Sequence, residues 1–138
     1  MKKRILIVED DAIIVYDLVE RLQERGYEIA GIADSGNLAI DMVKRLKPDL
    51  LLLDVCVKGD LNGIEAAIVL QSTFEDTLPV VFLTGLSEQA FPYLKVLNDY
   101  VYVNKPYTEA ELFEALDRAI HHMRKQGYLT DTAQGTYG

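Results

Sequence analysis

Five short apolar runs recur along the chain, and segments with helical periodicity separate them. The runs predict β-strands at about 4–8, 28–33, 50–55, 79–84 and 100–104. Strict alternation of strand and helix is typical of a parallel sheet with right-handed crossovers. Because the central runs are apolar at nearly every position, helices are expected to cover both faces of the sheet. The pattern therefore predicts a three-layer α/β domain.

Turn and capping residues predict where four of the five helices begin or end. These boundary residues are Gly26, Ser35, Pro48, Asn62 with Gly63, and Thr108 with Glu111. The fourth helix is less regular because Pro92 lacks a backbone donor and would clash inside a helix. We therefore expect a loop over 86–90 and a short helix over about 92–97, with Pro92 near its first position.

The length of 138 residues suits one domain with one core. Helical periodicity ends near residue 125, and the remaining stretch carries Gly127, Gly135 and Gly138. We predict a domain over 1–125, followed by a flexible tail or truncated linker over 126–138.

Charge and composition restrict the partners and the compartment. The net charge is −8, from 14 basic and 22 acidic residues, which disfavours direct binding to nucleic acid or to anionic lipid. No apolar run approaches the roughly 18 residues that would span a bilayer. Cys56 is the only cysteine, so no internal disulfide can form. These features predict a cytoplasmic protein with no membrane contact.

Polar side chains follow four of the five runs, at the point where each run ends. Glu9 and Asp10 follow the first, Asp54 the third, Thr84 ends the fourth, and Lys105 follows the fifth. In parallel α/β sheets, ligands bind outside the carboxyl ends of the strands. Each residue taken singly has an ordinary explanation, such as a loop cap, a strand residue or a surface charge. Their joint placement predicts one shared site.

Phosphoryl chemistry suits this combination of side chains. Two carboxylates about 4 Å apart repel by roughly 4 kcal/mol at an effective dielectric near 20, and a divalent cation offsets that repulsion. Mg²⁺ prefers oxygen ligands and bridges to phosphate. Asp54 could accept a phosphoryl group as an acyl phosphate, while Thr84 and Lys105 donate to its oxygens.

At this point the chain resembles the receiver domain of two-component response regulators. The matching stretches are 5–11, 52–54, 81–85 and 102–107, and the resemblance covers about residues 3–124. The four motifs are specific in combination, although each is weak alone. The resemblance implies a flavodoxin-like (βα)5 fold with a parallel five-stranded sheet in the order 2-1-3-4-5.

The resemblance also implies roles for individual residues. Asp54 is the expected phosphoacceptor, and Thr84 and Lys105 are the expected contacts of the phosphoryl group. The expected Mg²⁺ ligands are Glu9 (nearby or through water), Asp10, Asp54 and the backbone carbonyl of Cys56. The peptide bond between Lys105 and Pro106 is expected to be cis.

Signalling in the resembled family implies the partners and the response. A sensor histidine kinase or a phosphotransfer protein would supply the phosphoryl group, and Thr84 and Tyr102 would relay its arrival. The readout face would comprise the fourth helix, the fifth strand and the fifth helix, and would contact an unknown downstream protein or domain. A homodimer through this face is compatible with the sequence. The chain would act on itself and would turn over no separate substrate.

Three other functions are alternatives to this switch. A phosphatase of the haloacid dehalogenase type carries a second Asp two residues after the first, where this chain has Cys56. A flavin-binding electron carrier needs a small-residue phosphate loop after the first strand, where this chain has Glu9, Asp10 and Asp11. A receiver-like scaffold that binds partners without phosphorylation is the remaining alternative.

Overall fold

A single parallel sheet of five strands forms the centre of the structure. We describe a computed structural model, which covers residues 2–73, 78–97 and 99–133. The strands are β1 Arg4–Val8, β2 Glu28–Ala33, β3 Leu50–Leu53, β4 Val80–Thr84 and β5 Val101–Asn104. Their order in the sheet is β2-β1-β3-β4-β5, and all four pairings are parallel. The expected flavodoxin-like order is confirmed.

In the described part of the chain, four α-helices connect or follow the strands. They are α1 Ala12–Glu24, α2 Gly36–Leu46, α3 Gly63–Thr73 and α4 Glu109–Ala133. The predicted caps are present. The Ser35 hydroxyl accepts the Leu38 N–H at the start of α2. Thr108 and Glu111 bond reciprocally at the start of α4, each side chain accepting the other's backbone N–H at 2.8 and 3.0 Å.

Alternate strand residues face opposite layers, so the core has two halves. One half packs α2 and α3 on one face of the sheet, and its strand residues include Leu6, Val8, Leu51 and Leu53. The other packs α1 and α4 on the opposite face, and its strand residues include Ile5, Ile7, Leu50 and Leu52. Burying each such side chain contributes on the order of 2 kcal/mol. The sheet is therefore fixed in position, and the polar residues at its edge are fixed with it.

The segment expected to form the fourth helix differs from the prediction. Two 3₁₀ turns, Glu88–Ala90 and Pro92–Val96, stand between β4 and β5. The expected loop over 86–90 therefore contains a helical turn, and the expected short helix is 3₁₀ rather than α. Pro92 does occupy the first helical position, as predicted. Pro92 is tolerated at the first position of either kind of helix, and the tighter i→i+3 pattern of a 3₁₀ turn suits a piece of five residues.

The last helix crosses the predicted domain boundary at residue 125 and ends at Ala133. The division into 1–125 and 126–138 stays a prediction, and residues 134–138 lie outside the described residues. No helix in the described part of the chain is both long enough and apolar enough to cross a membrane.

Candidate functional site

Hydrogen bonds that continue the sheet position Glu9 and Asp54 next to each other. The Glu9 N–H donates to the Ala33 carbonyl at 2.9 Å, and the Asp54 N–H donates to the Val8 carbonyl at 3.0 Å. The parallel ladder therefore extends one residue past the ends of β1 and β3. Residues 9 and 54 leave the sheet at the same level, on neighbouring central strands.

Lys105 joins these two carboxylates. Its Nζ lies 3.1 Å from Asp54 Oδ2 and 3.4 Å from Glu9 Oε1. The Glu9 side chain is only 5% exposed and that of Asp54 11%, so the contacts are largely shielded from water. Glu9 and Asp54 are 96 and 51 positions away from Lys105 along the chain. The predicted meeting of Glu9, Asp54 and Lys105 at one edge is thus present in the structure.

The charges of this cluster shift two pKa values. Burial raises the pKa of Glu9, and the neighbouring Asp54 carboxylate raises it further, whereas the Asp11 N–H and Lys105 oppose the shift. Burial lowers the pKa of Lys105, but its hydrogen bond to Asp54 and the charges of both acids outweigh burial, so that this pKa is raised overall. The Lys105 ammonium therefore stabilises the Glu9 carboxylate only in part, and the charged form of Glu9 stays less favourable than it is in water.

Glu9→Gln is expected to stabilise the protein at neutral pH in the absence of Mg²⁺. The folded pKa of Glu9 lies above the unfolded value of 4.5. The folded state then binds more protons between those two values, and the free energy of unfolding falls as pH rises through that window. The neutral amide avoids this loss. Urea unfolding with a chelator should show a gain at about pH 7 and little change at about pH 4.

Glu20→Gln is the matched control, because Glu20 is an exposed carboxylate of α1. Its free energy of unfolding at about pH 7 should stay close to that of the wild type. A destabilised Glu9→Gln protein at neutral pH would show that the ion pair with Lys105 outweighs burial.

Asp10, which directly follows Glu9, is exposed. Its negative charge acts on Lys58, raising the pKa of that lysine after the stronger effects of Asp34. The donor set at this edge is made of oxygens, which suits Mg²⁺. The described residues do not, however, form a three-residue metal cluster in this arrangement. Assignment of Glu9, Asp10, Asp54 and the Cys56 carbonyl as ligands stays a prediction.

The third acid of the sequence motif has a structural role. The Asp11 carboxylate caps α1 by accepting the N–H groups of Ile13 and Ile14 at 2.9 and 3.4 Å. Its own N–H donates to Glu9 Oε2 at 3.1 Å. Asp11 thus orients Glu9 and starts the helix.

The loop after Asp54 is attached to its surroundings on two sides. The Cys56 N–H donates to Asp54 Oδ1 at 3.1 Å, which orients the carboxylate. Farther along, Lys58 pairs with Asp34 at 2.8 Å, across the loop that leads into α2. Cys56 itself is an exposed free thiol.

The backbone of Leu86 forms a junction, since it bonds to two further residues of the predicted site, Thr84 and Tyr102. Its N–H donates to Thr84 Oγ1 at 3.3 Å, and its carbonyl accepts from Tyr102 Oη at 2.9 Å and from Asn104 Nδ2 at 2.8 Å. Thr84 is buried at the end of β4, and the Lys105 N–H donates to its carbonyl at 2.8 Å. Thr84 and Tyr102 are therefore linked through one backbone unit.

Tyr102 packs its ring on the core while its hydroxyl bonds to Leu86. The ring centroid lies 5.8 Å from that of Phe82, which is fully buried. Burial raises the pKa of Tyr102 to about 12, and the charges of Glu88 and Asp54 contribute. The phenol is therefore neutral at physiological pH and donates the bond to Leu86.

Sequence reasoning missed two features of the site. It did not identify the Leu86 backbone as a junction, since a backbone role leaves no mark on residue type. It also overlooked Asn104, which follows the apolar run of β5 as a polar residue and could have been included by that position. The expected cis bond between Lys105 and Pro106 is present.

Comparison with known proteins identifies the family. The model of the response regulator receiver domain matches residues 5–117 of this chain. The chain therefore belongs to the response regulator receiver family, a family of phosphoacceptor signalling domains. The fold and the cluster of Glu9, Asp54 and Lys105 agree with this membership.

Individual relatives agree with the family match. The transcriptional regulatory protein PdtaR of Mycobacterium tuberculosis is 35% identical over 124 residues, which is 89% of this chain and 59% of PdtaR. The protein CcdB of Bacillus subtilis is 32% identical over 120 residues, covering 86% of this chain and 98% of CcdB. The chain thus spans about three fifths of the length of PdtaR and nearly all of CcdB.

A solved structure shows the same fold. The signal receiver domain of a modulated diguanylate cyclase from Desulfovibrio desulfuricans G20 superposes with a TM-score of 0.81 at 30% identity. The match covers 91% of this chain and 99% of that domain.

Proposed function

We propose that this chain is a phosphorylation-controlled switch in which Asp54 accepts a phosphoryl group from the phosphohistidine of a sensor histidine kinase or phosphotransfer protein. The observation that carries the proposal is the contact of Lys105 with both Asp54 and Glu9 at the carboxyl edge of the sheet. That arrangement presents a carboxylate nucleophile beside a fixed positive charge, in a partly shielded site.

The chemistry needs few steps from this chain. A carboxylate oxygen of Asp54 attacks phosphorus, the P–N bond of the donor breaks, and the imidazole nitrogen keeps the electron pair. Asp54 is positioned for this by the Cys56 N–H, which holds its other oxygen. Lys105 then transfers its contact from the carboxylate to a phosphoryl oxygen. Mg²⁺, held by Glu9, Asp10, Asp54 and the Cys56 carbonyl, would supply further charge neutralisation.

The response passes through the Leu86 junction. A phosphoryl group adds about −1.5 to −2 charge and new acceptor oxygens. Thr84 Oγ1 would donate to one of these oxygens and so disturb its bond with the Leu86 N–H. Because the Leu86 carbonyl also receives Tyr102, a shift at Leu86 would release that ring toward the core. The readout surface is then β5, α4 and the 3₁₀ turns, which contact the downstream partner or a second copy.

Partners and place in the cell follow from this role. The switch acts in the cytoplasm, where kinases and their phosphodonors are found. Its own phosphorylation and dephosphorylation are the only reactions it promotes. The downstream partner is a protein or domain, because the net charge of −8 disfavours nucleic acid.

Intact-mass measurement after incubation with Mg²⁺ and acetyl phosphate tests the proposal. We expect the mass of one phosphoryl group to be gained, and no gain when a chelator removes the metal. A protein that stays unmodified at saturating Mg²⁺ and donor, yet keeps its fold, would favour the scaffold alternative. Flavin bound to the purified protein would favour the electron carrier.

A further inference from the structure

One amide connects the start of α3 with the 3₁₀ turn that replaces the fourth helix. Asn62 Nδ2 donates to the Tyr93 hydroxyl at 2.9 Å, across 31 positions of sequence. The same side chain caps α3, because Asn62 Oδ1 accepts the Glu65 N–H at 2.8 Å and the Glu65 carboxylate accepts the Asn62 N–H at 2.9 Å. Both ends of the amide are therefore engaged, and its position is fixed by α3.

The backbone that follows Asn62 also contacts the backbone of Asp54. The next residue, Gly63, donates its N–H to the Val55 carbonyl at 2.8 Å. A side chain at Gly63 would overlap the Asp54 carbonyl oxygen and would lie 3.0 Å from Val55 Cα. The backbone of Asp54 and the start of α3 are thus in direct contact, so neither can shift without displacing the other.

On the other side, Tyr93 is 38% exposed, and its side chain reaches the core through its contact with Phe91. Its ring meets that of Phe91 edge-on, with centroids 6.1 Å apart, and Phe91 packs against the buried half of the core beneath α2 and α3. Leu94, the following residue, is 2% exposed. The turn is closed by the bonds Leu94 N–H to Phe91 and Leu97 N–H to Leu94, each 3.0 Å long.

We propose that Tyr93, held by Asn62, is a positioning residue that couples the Asp54 loop to the 3₁₀ turn Pro92–Val96. The route rests on the proposed function, since it transmits the state of Asp54. It shares no residue with the route through Thr84, Leu86 and Tyr102. Both routes reach the segment between β4 and β5, one at Leu86 and the other at Tyr93.

Amide hydrogen exchange at Leu94 and Leu97 tests the coupling, measured with and without acetyl phosphate in the presence of Mg²⁺. In the wild type, phosphorylation should change the exchange rates of both amides. Tyr93→Phe removes only the hydroxyl, and Asn62→Ser keeps a helix cap but is too short to reach Tyr93. Each variant should reduce the phosphorylation-dependent rate ratio by about fivefold, as expected for one hydrogen bond. The double variant should lose no more than either single variant.

Two further variants separate coupling from general loosening of the turn. Asn62→Asp keeps the cap and can accept a bond from the Tyr93 hydroxyl, so it should restore most of the response. Tyr16→Phe makes the same chemical change at a tyrosine of α1 that is 71% exposed, and it should keep the wild-type ratio.

The outcomes distinguish this inference from the function on which it rests. If the wild type gains a phosphoryl group but Tyr93→Phe keeps the full exchange response, the coupling is wrong and the switch stands. The same conclusion follows if phosphorylated wild type shows no change at Leu94 and Leu97. If the wild type gains no phosphoryl group, both proposals fail together.

Discussion

Asp54→Asn is expected to abolish the gain of a phosphoryl group from acetyl phosphate. An amide oxygen is a far weaker nucleophile than a carboxylate and cannot form an acyl phosphate. The substitution leaves an acceptor for the Cys56 N–H, so the loop should keep its shape. Lys105 would retain Glu9 at 3.4 Å as a partner. Intact mass before and after incubation with Mg²⁺ and donor measures the effect.

Asp60→Asn is the matched control, since Asp60 is an exposed carboxylate in the same loop. It should take up the phosphoryl group as the wild type does. Uptake by Asp54→Asn with the wild-type time course would place the modification on another residue. Both variants should keep the circular dichroism spectrum of the wild type and should unfold in one cooperative transition, which excludes loss of fold as the cause.

Much of this site could be predicted from sequence because backbone geometry decides it. An apolar run buried on both faces must be a central strand, and the residue that follows it must leave the sheet at the edge. That reasoning placed Glu9, Asp54 and Lys105 together, and the observed ladder bonds at residues 9 and 54 show the cause. Thr84 followed from the same argument, whereas Tyr102 and the roles of both residues were supplied by the resemblance.

The features that could not be predicted depend on contacts between backbone atoms or between loops. The Leu86 carbonyl receives two side chains, but any residue has a carbonyl. The bond between Asn62 and Tyr93 joins two irregular segments whose relative position no periodicity fixes. The 3₁₀ turns were missed for a different reason. Pro92 marks a helix start but does not distinguish a 3₁₀ turn from a short α-helix.

The structure also modifies the electrostatic argument for the site. From sequence, the carboxylates of Glu9, Asp10 and Asp54 were expected to repel one another and to need a divalent cation to offset that repulsion. In the structure Glu9 and Asp54 both contact the Lys105 ammonium, whereas Asp10 is exposed. Lys105 already offsets part of that repulsion, and the raised pKa of Glu9 reports the remainder. A cation would therefore offset the part of the carboxylate repulsion that Lys105 leaves uncompensated, rather than all of it.

Gly63→Ala is expected to destabilise the protein strongly and to impair phosphorylation as well. The new methyl group would overlap the Asp54 carbonyl oxygen and crowd the Asp54 carbonyl carbon and Val55 Cα, both 3.0 Å away. All three atoms belong to backbone that is anchored to β3, so no side-chain rotation relieves the overlap. Overpacking of this kind costs about 3 kcal/mol, which corresponds to a fall in Tm of ~10 °C for a domain of this size.

Gly85→Ala is the matched control for this prediction. Gly85 also follows a strand that ends in the site, but a methyl group there would meet no atom within 4 Å. Its Tm should stay close to that of the wild type, and thermal unfolding followed by circular dichroism compares the two. Because relief of the overlap at Gly63 must move either α3 or the Asp54 backbone, phosphoryl uptake should slow even well below the Tm of Gly63→Ala. Equal stability and equal uptake in the two variants would contradict a tight contact between α3 and the backbone of Asp54.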